Sequence, residues 1–267
     1  MTNKNCLNCG QKLTGNYCSG CGQKADIHRI SFKSFIFHDV LHGTFHIEKG
    51  MLFTAKQALL RPGKASLDYI SGKRKPYYNV FLLILITIGL LLFFRHFYEE
   101  LVISQGRGFA ESTEHLNEAS KRIDELFSQK SKIIIFLFVP LAALNSFTLL
   151  KRKKLNLSEH AIIAGMILLG ILLLSTFGNL LFYIDLIIPF SDAFADGVSL
   201  FITILTFLYI AYGYYNAFGK DYSELGIAYR IVLFFLLLFM EILLLFFILF
   251  GFVSDWKFGK FVVSPFS

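Results

Sequence analysis

The chain has 267 residues, of which 55% are hydrophobic and 16% aromatic, and it carries a net charge of +7. Soluble domains hold roughly 45–50% apolar residues. Here the mean hydropathy is +0.57, and the excess lies in runs of about twenty residues, the length that crosses a hydrocarbon core of roughly 30 Å. These values exclude a wholly soluble protein and point to an integral membrane protein with a soluble front end.

The front end, residues 1–28, is polar. It holds all four cysteines of the chain within "CLNCGQKLTGNYCSGCGQK", residues 6–24. The first thirty residues contain no apolar h-region, so no cleavable signal peptide is expected and the N-terminus should stay in the reducing cytosol. Paired CxxC motifs there point to metal rather than to disulfides. Cys6 and Cys9, then Cys18 and Cys21, can each bring two thiolates to one ion, and the short connection lets the pairs complete a tetrahedron. Gly10 and Gly22 follow the second cysteine of each pair, where a positive φ would aim backbone N–H groups at sulfur. Four protein ligands leave no open position, so the expected cofactor is a structural Zn2+ held by Cys6, Cys9, Cys18 and Cys21 in a zinc ribbon. A segment this small builds no core of its own, and the metal would supply its folding energy. We read no internal repeat and no low-complexity linker in the chain.

Residues 29–76 read as amphipathic, basic membrane-surface helices, with packing onto the ribbon or the span ends as the alternative. Within them, His38, His42 and His46 recur at helical spacing, a pattern that can bind metal, but with Gly43 between them and Phe35 and Phe45 in the same sector they read as amphipathic histidines at the membrane surface. The basic residues Lys73, Arg74 and Lys75 close this region and pin the start of the first span, with Tyr77 and Tyr78 at headgroup level. Five spans are expected, at about 77–97, 131–150, 160–184, 197–218 and 229–253. A helical loop at about 98–130 and a tail at 254–267 complete the chain. Lys151, Arg152, Lys153 and Lys154 separate the second span from the third and form a second group of membrane-surface cations. Tyr209, Tyr212, Tyr214 and Tyr215 crowd one half of the fourth span and read as an aromatic belt. Ala161/Gly165 and Gly213/Ala217 are small-xxx-small pairs that permit close helix approach.

The flanking charges set an orientation. Residues 1–76 carry 12 basic and 4 acidic side chains (+8), residues 151–160 are +3 and residues 219–230 are neutral. On the other side, residues 95–132 are −1, the turn with Asp185, Asp192 and Asp196 is −3, and the tail is +1. The totals, +11 against −3, place the N-terminus in the cytosol and the C-terminus outside.

The order "CLNCG", "YCSGCGQK", "RISFKSF" (29–35) and "KGMLFTAKQALLRPGKASLDYISGKRKPYY" (49–78), followed by a hydrophobic remainder, resembles a bacterial family of membrane proteins known as domain of unknown function 3667. The resemblance covers about residues 5–80. It implies a zinc-ribbon protein of the bacterial inner membrane and lends no activity. The five-span, N-inside layout is also similar to that of Yip1-type membrane proteins, in topology alone.

No nucleophile–base motif, dinucleotide fingerprint or HExxH occurs, so no enzymatic chemistry is expected. The fold class is an all-α polytopic membrane bundle with an N-terminal zinc ribbon. The function expected of it is a non-enzymatic membrane scaffold or adaptor. Its partners would be the lipid bilayer and a protein bound through the ribbon, with nucleic acid disfavoured. The alternative is a small transporter or proton-linked carrier using Glu241, which stands alone among apolar residues in "IVLFFLLLFMEILLLFFILFGF", 231–252. An ionised carboxylate in hydrocarbon is costly, so Glu241 is expected to be neutral, to face the bundle interior and to donate a hydrogen bond.

Overall fold

The computed structural model describes residues 5–27, 29–30, 49–106, 137–253 and 256. His38, His42 and His46, most of the 98–130 loop and all of the tail except Trp256 lie outside them. Among the described residues the architecture is all-helical. The helices are α1 (Lys49–Leu60), α2 (Pro62–Ile70), α3 (Val80–Ser104), α4 (Leu137–Leu149), α5 (Leu157–Phe182), α6 (Asp192–Phe218) and α7 (Glu224–Val253). The only extended pairings among these residues are two isolated antiparallel bridges in the cysteine-bearing segment, Asn5–Lys12 and Tyr17–Lys24.

Four helices, α3, α5, α6 and α7, are long and apolar enough to cross a membrane. The helix α4 is apolar but shorter. It occupies the stretch where a further span is expected, and residues 131–136, the start of that stretch, lie outside the described residues. Local chemistry fixes where the long helices begin. Asn79 caps α3 by accepting from Phe81 N and Leu82 N. Asn156 and Glu159 form a reciprocal capping box at the start of α5, and Ser191 caps α6. Caps of this kind are each worth about 1 kcal/mol.

The helix α5 is the hub. Its most apolar stretch is 61% buried within the protein, against 11% for α6 and α7. The large side chains that α6 and α7 leave exposed, among them Phe201, Leu208, Phe239 and Leu244, are the surface that lipid would cover. Small residues on α5 set its close approaches. Gly165 lies against the Phe81 ring, at 3.1 Å from a would-be Cβ, and Gly170 leaves room for the Tyr209 hydroxyl.

The helices α1 and α2 dock on the bundle. Thr54, Ala58, Ala65 and Ser66 are buried, while Leu52, Lys56 and Leu60 remain exposed on the outer face. Pro62 explains the break between the two helices and how it is healed. Proline has no N–H, so the carbonyl of Ala58 loses its donor four residues on. The Tyr209 hydroxyl donates to that carbonyl instead. Two residues further along, Tyr212 donates to Leu60 O at 2.9 Å, and the N–H of Lys64 is taken by Asn216 Oδ1 at 2.8 Å. Gly63 permits this contact, since a Cβ there would overlap the backbone of Gly213 and Ala217. Two of the four tyrosines expected at the lipid interface are therefore interior groups. Tyr209 and Tyr214 are 7% and 1% exposed, and Tyr214 reaches Ala142 O at 3.3 Å. The small pair Gly213/Ala217 serves two neighbours: a Cβ at Gly213 would meet Ile167 of α5 at 2.7 Å, and the backbone of both residues faces Gly63 of α2.

The loops at 71–79, 150–156 and 219–223 gather at one end of the bundle with the cysteine-bearing segment. At the other end Tyr98 meets Asp185 at 3.4 Å and Gln105 meets Leu186 O at 3.4 Å.

Candidate metal centre

The four cysteine sulfurs lie within 4.8 Å of one another, with Cys6 Sγ 3.6 Å from Cys21 Sγ and Cys9 Sγ 3.5 Å from Cys18 Sγ. An ion with metal–sulfur bonds of about 2.3 Å at the centre of a tetrahedron sets its ligands about 3.8 Å apart. The spacing fits, and the four residues can hold one metal ion.

Two copies of a single knuckle build this site, which corrects the expectation that the chain holds no repeat. "CLNCGQK" (6–12) and "CSGCGQK" (18–24) superimpose hydrogen bond on hydrogen bond. Cys6 N donates to Gln11 O and Cys18 N to Gln23 O, each at 2.8 Å, while Gly10 N donates to Cys6 O and Gly22 N to Cys18 O, also at 2.8 Å. Gly10 and Gly22 adopt φ of +77° and +71°, the left-handed turn that glycine accepts without strain. This turn aims backbone N–H groups at sulfur. The Asn8 side chain and the N–H of Gln23 pull the Cys21 thiol down to about 6. The N–H groups of Cys21 and Gly20 pull Cys18 down against its burial. Thiolates, the form that binds metal, are thereby favoured at both residues. For Cys9 the N–H of Gln11 acts in the same direction, but neighbouring sulfurs, Cys18 first, raise it to about 12 in the absence of a cation.

The cysteine unit is fastened to the bundle at three points. Gln23, 4% exposed, accepts from the N–H groups of Arg74 and Lys75 at 3.1 Å each. Leu7 packs on Gly72, where a Cβ would overlap it. Arg29 makes a bidentate pair with Glu159, both bonds at 2.8 Å, and also donates to Lys154 O at 3.0 Å. Glu159 raises the Arg29 pKa above its already high ordinary value. The same carboxylate closes the α5 capping box through Asn156 N at 2.8 Å, and Asn156 Nδ2 donates to Ile30 O at 2.9 Å. A cleft of about 500 Å3 remains between the unit and the bundle, walled by Leu7, Ile27, Arg29, Gly72 and Lys154 among others.

Most of the seven flanking cations engage protein groups. Lys73 pairs with Asp68 at 2.8 Å, the Arg74 guanidinium lies 5.4 Å from the centre of the Tyr69 ring, and the Lys75 chain passes Gly22. Lys153 pairs with Asp221 at 3.0 Å. Arg152 and Arg230 each stack on the Tyr222 ring, at 4.5 and 4.4 Å. Lys151 and Lys154 are exposed.

Within the bundle Asn145 Nδ2 donates to Glu241 Oε2 at 2.8 Å, so Glu241 has a partner on α4 and acts there as acceptor. A second interior polar pair, Ser146 Oγ and His160 Nδ1 at 2.9 Å, clasps α4 to α5. The His160 ring stacks on Phe218 and meets Phe147 edge-on. Sequence reasoning passed over His160. A histidine directly after a capping glutamate, at the head of an apolar run, was the available signal.

Residues 48–92 match the family described as "Protein of unknown function (DUF3667)". The matched stretch runs from α1 through the Pro62 break and the Gly72 turn into the first half of α3, and the resemblance read from the sequence is upheld over it. No curated protein and no solved structure matches the chain.

Proposed function

We propose that the protein is a non-enzymatic scaffold or adaptor of the bacterial inner membrane. In this reading a structural zinc ribbon is held at the cytosolic end of a five-span bundle and presents a binding surface to a protein partner. The single observation that carries it is the fastening of the four-cysteine unit to the bundle through Gln23 and the Arg29–Glu159 pair. A unit so fixed is a rigid platform rather than a tethered domain. Zinc is the ion of choice because four thiolates in a reducing compartment suit it, and a closed ligand set gives it no catalytic position. The orientation rests on the +11 to −3 charge split. Reporter fusions at Lys153 and Lys220 should read cytosolic, and fusions at Glu114, Asp192 and Ser267 external. A cytosolic signal at Ser267 would remove one span. Affinity capture in mild detergent, with the full chain and with residues 1–28 deleted, tests the platform. Partners lost on deletion support it, and an unchanged set assigns the work to the bundle.

The Asn145–Glu241 pair supports a second reading, a proton-linked carrier, because intramembrane carboxylates often mark ion paths. Glu241→Gln separates the two. A structural clasp keeps its stability and its function with Gln, whereas a carrier stays folded and stops transporting.

A further inference from the structure

The link between the cysteine unit and the bundle begins at a metal ligand. Gln23 uses its amide on both sides: Nε2 donates to Cys6 Sγ at 4.0 Å, and Oε1 takes the N–H groups of Arg74 and Lys75 at 3.1 Å each. One buried side chain therefore spans the distance from the sulfur cluster to the basic segment that leads into α3. The repeat supplies an internal control. Gln11, at the same position in the first knuckle, is exposed, donates to Ser19 Oγ at 3.3 Å and lies against Gly20, so its side chain stays within the unit. Leu7 on Gly72 and Gly22 beside the Lys75 chain complete the contact.

The shape of this contact depends on the metal. Among the described residues 5–30 only Cys6, Cys18, Gln23 and Ile30 are buried. Two of these are ligands and a third is Gln23, so the unit has no apolar core that would hold Gln23 in place without the ion.

We infer that metal occupancy at Cys6, Cys9, Cys18 and Cys21 controls access to the segment Lys73–Arg74–Lys75, and that Gln23 transmits it. With the ion bound, the segment is pinned: its backbone is held by Gln23, Lys73 is held by Asp68 and Arg74 lies over Tyr69. With the ion removed, Gln23 leaves, the N–H groups of Arg74 and Lys75 lose that acceptor, and the backbone beside the first span opens, while Lys73 can keep its pair with Asp68. The inference rests on the metal-site reading above and adds regulation to it.

Limited trypsin digestion of the full chain in detergent tests this, with cleavage after Lys73 and Arg74 followed by mass spectrometry and zinc measured on the same sample. Pro76 blocks cleavage after Lys75, so these two bonds report on the segment. Cleavage should be slow in loaded protein, rise on the order of tenfold after EDTA treatment as the open population grows, and fall again when zinc is restored. Gln23→Met should cleave fast while still loaded, and Gln11→Met should behave as the natural chain. Unchanged cleavage at Lys73 and Arg74 after the zinc has gone would overturn the coupling and leave the metal site standing. Protein that never carries metal would overturn both.

Discussion

The cysteine unit and the helices around α5 are held together by different physics. Around α5, Ile163, Met166, Ile167 and Leu169 are fully buried among apolar neighbours, and the contact is side chain on side chain. In residues 5–30 the interior is sulfur, one amide and one isoleucine. Each region fails in its own way. The bundle should degrade by increments as contacts are trimmed, since apolar packing is spread over many residues. The unit should fail all at once, since its four cysteines would share one ion. The fastening between them is mostly polar, and one of its points lies where the repeat breaks its own symmetry, with Gln23 buried and Gln11 exposed.

Substitutions at four positions probe that contrast, in falling order of effect. Cys9→Ser should abolish tight metal binding, which contributes about 10–16 kcal/mol to structural zinc sites. Hydrogen exchange should then show residues 5–27 open while α5 stays protected; concurrent loss of the α5 protection would mean that the two regions share one cooperative unit. Gly63→Val forces side-chain atoms into the backbone of Gly213 and Ala217 and should cost about 1–3 kcal/mol or more by overpacking. That would appear as a lower melting temperature in detergent with zinc content unchanged. Tyr209→Phe leaves the Ala58 carbonyl without a donor and should cost on the order of 1–3 kcal/mol, again with zinc retained. Glu241→Leu should cost on the order of 1 kcal/mol, the scale of a polar contact between membrane helices, and Glu241→Gln less than that. A melting temperature unmoved by Glu241→Leu would show that the bond to Asn145 contributes nothing to the bundle.

What was legible in the sequence follows from whether the signal was local. Cys6, Cys9, Cys18 and Cys21 announce their meeting by spacing, and the positive φ at Gly10 and Gly22 follows from their place in the knuckle. Apolar runs locate α3, α5, α6 and α7. The partners of these groups were not legible. Tyr209 reads as a belt residue because nothing near it in the chain says that a carbonyl 151 residues earlier has lost its donor to Pro62. Gly213 and Ala217 read as a helix–helix notch, and Ile167 of α5 does enter it, but nothing local says that the short α2 shares it through Gly63. Lys73 and Arg74 read as lipid-facing cations because Asp68 and Tyr69 act on them only after the Gly72 turn folds the segment back. The repeat was missed for a simpler reason. Leu7 and Asn8 against Ser19 and Gly20 hide the match until the hydrogen bonds of the two knuckles are laid side by side.

X-ray absorption at the zinc edge on the purified full-length protein tests the central claim most directly. One zinc per chain in a shell of four sulfurs at about 2.3 Å is the predicted result. A shell containing nitrogen or oxygen, or a chain that carries iron or no metal, would contradict it.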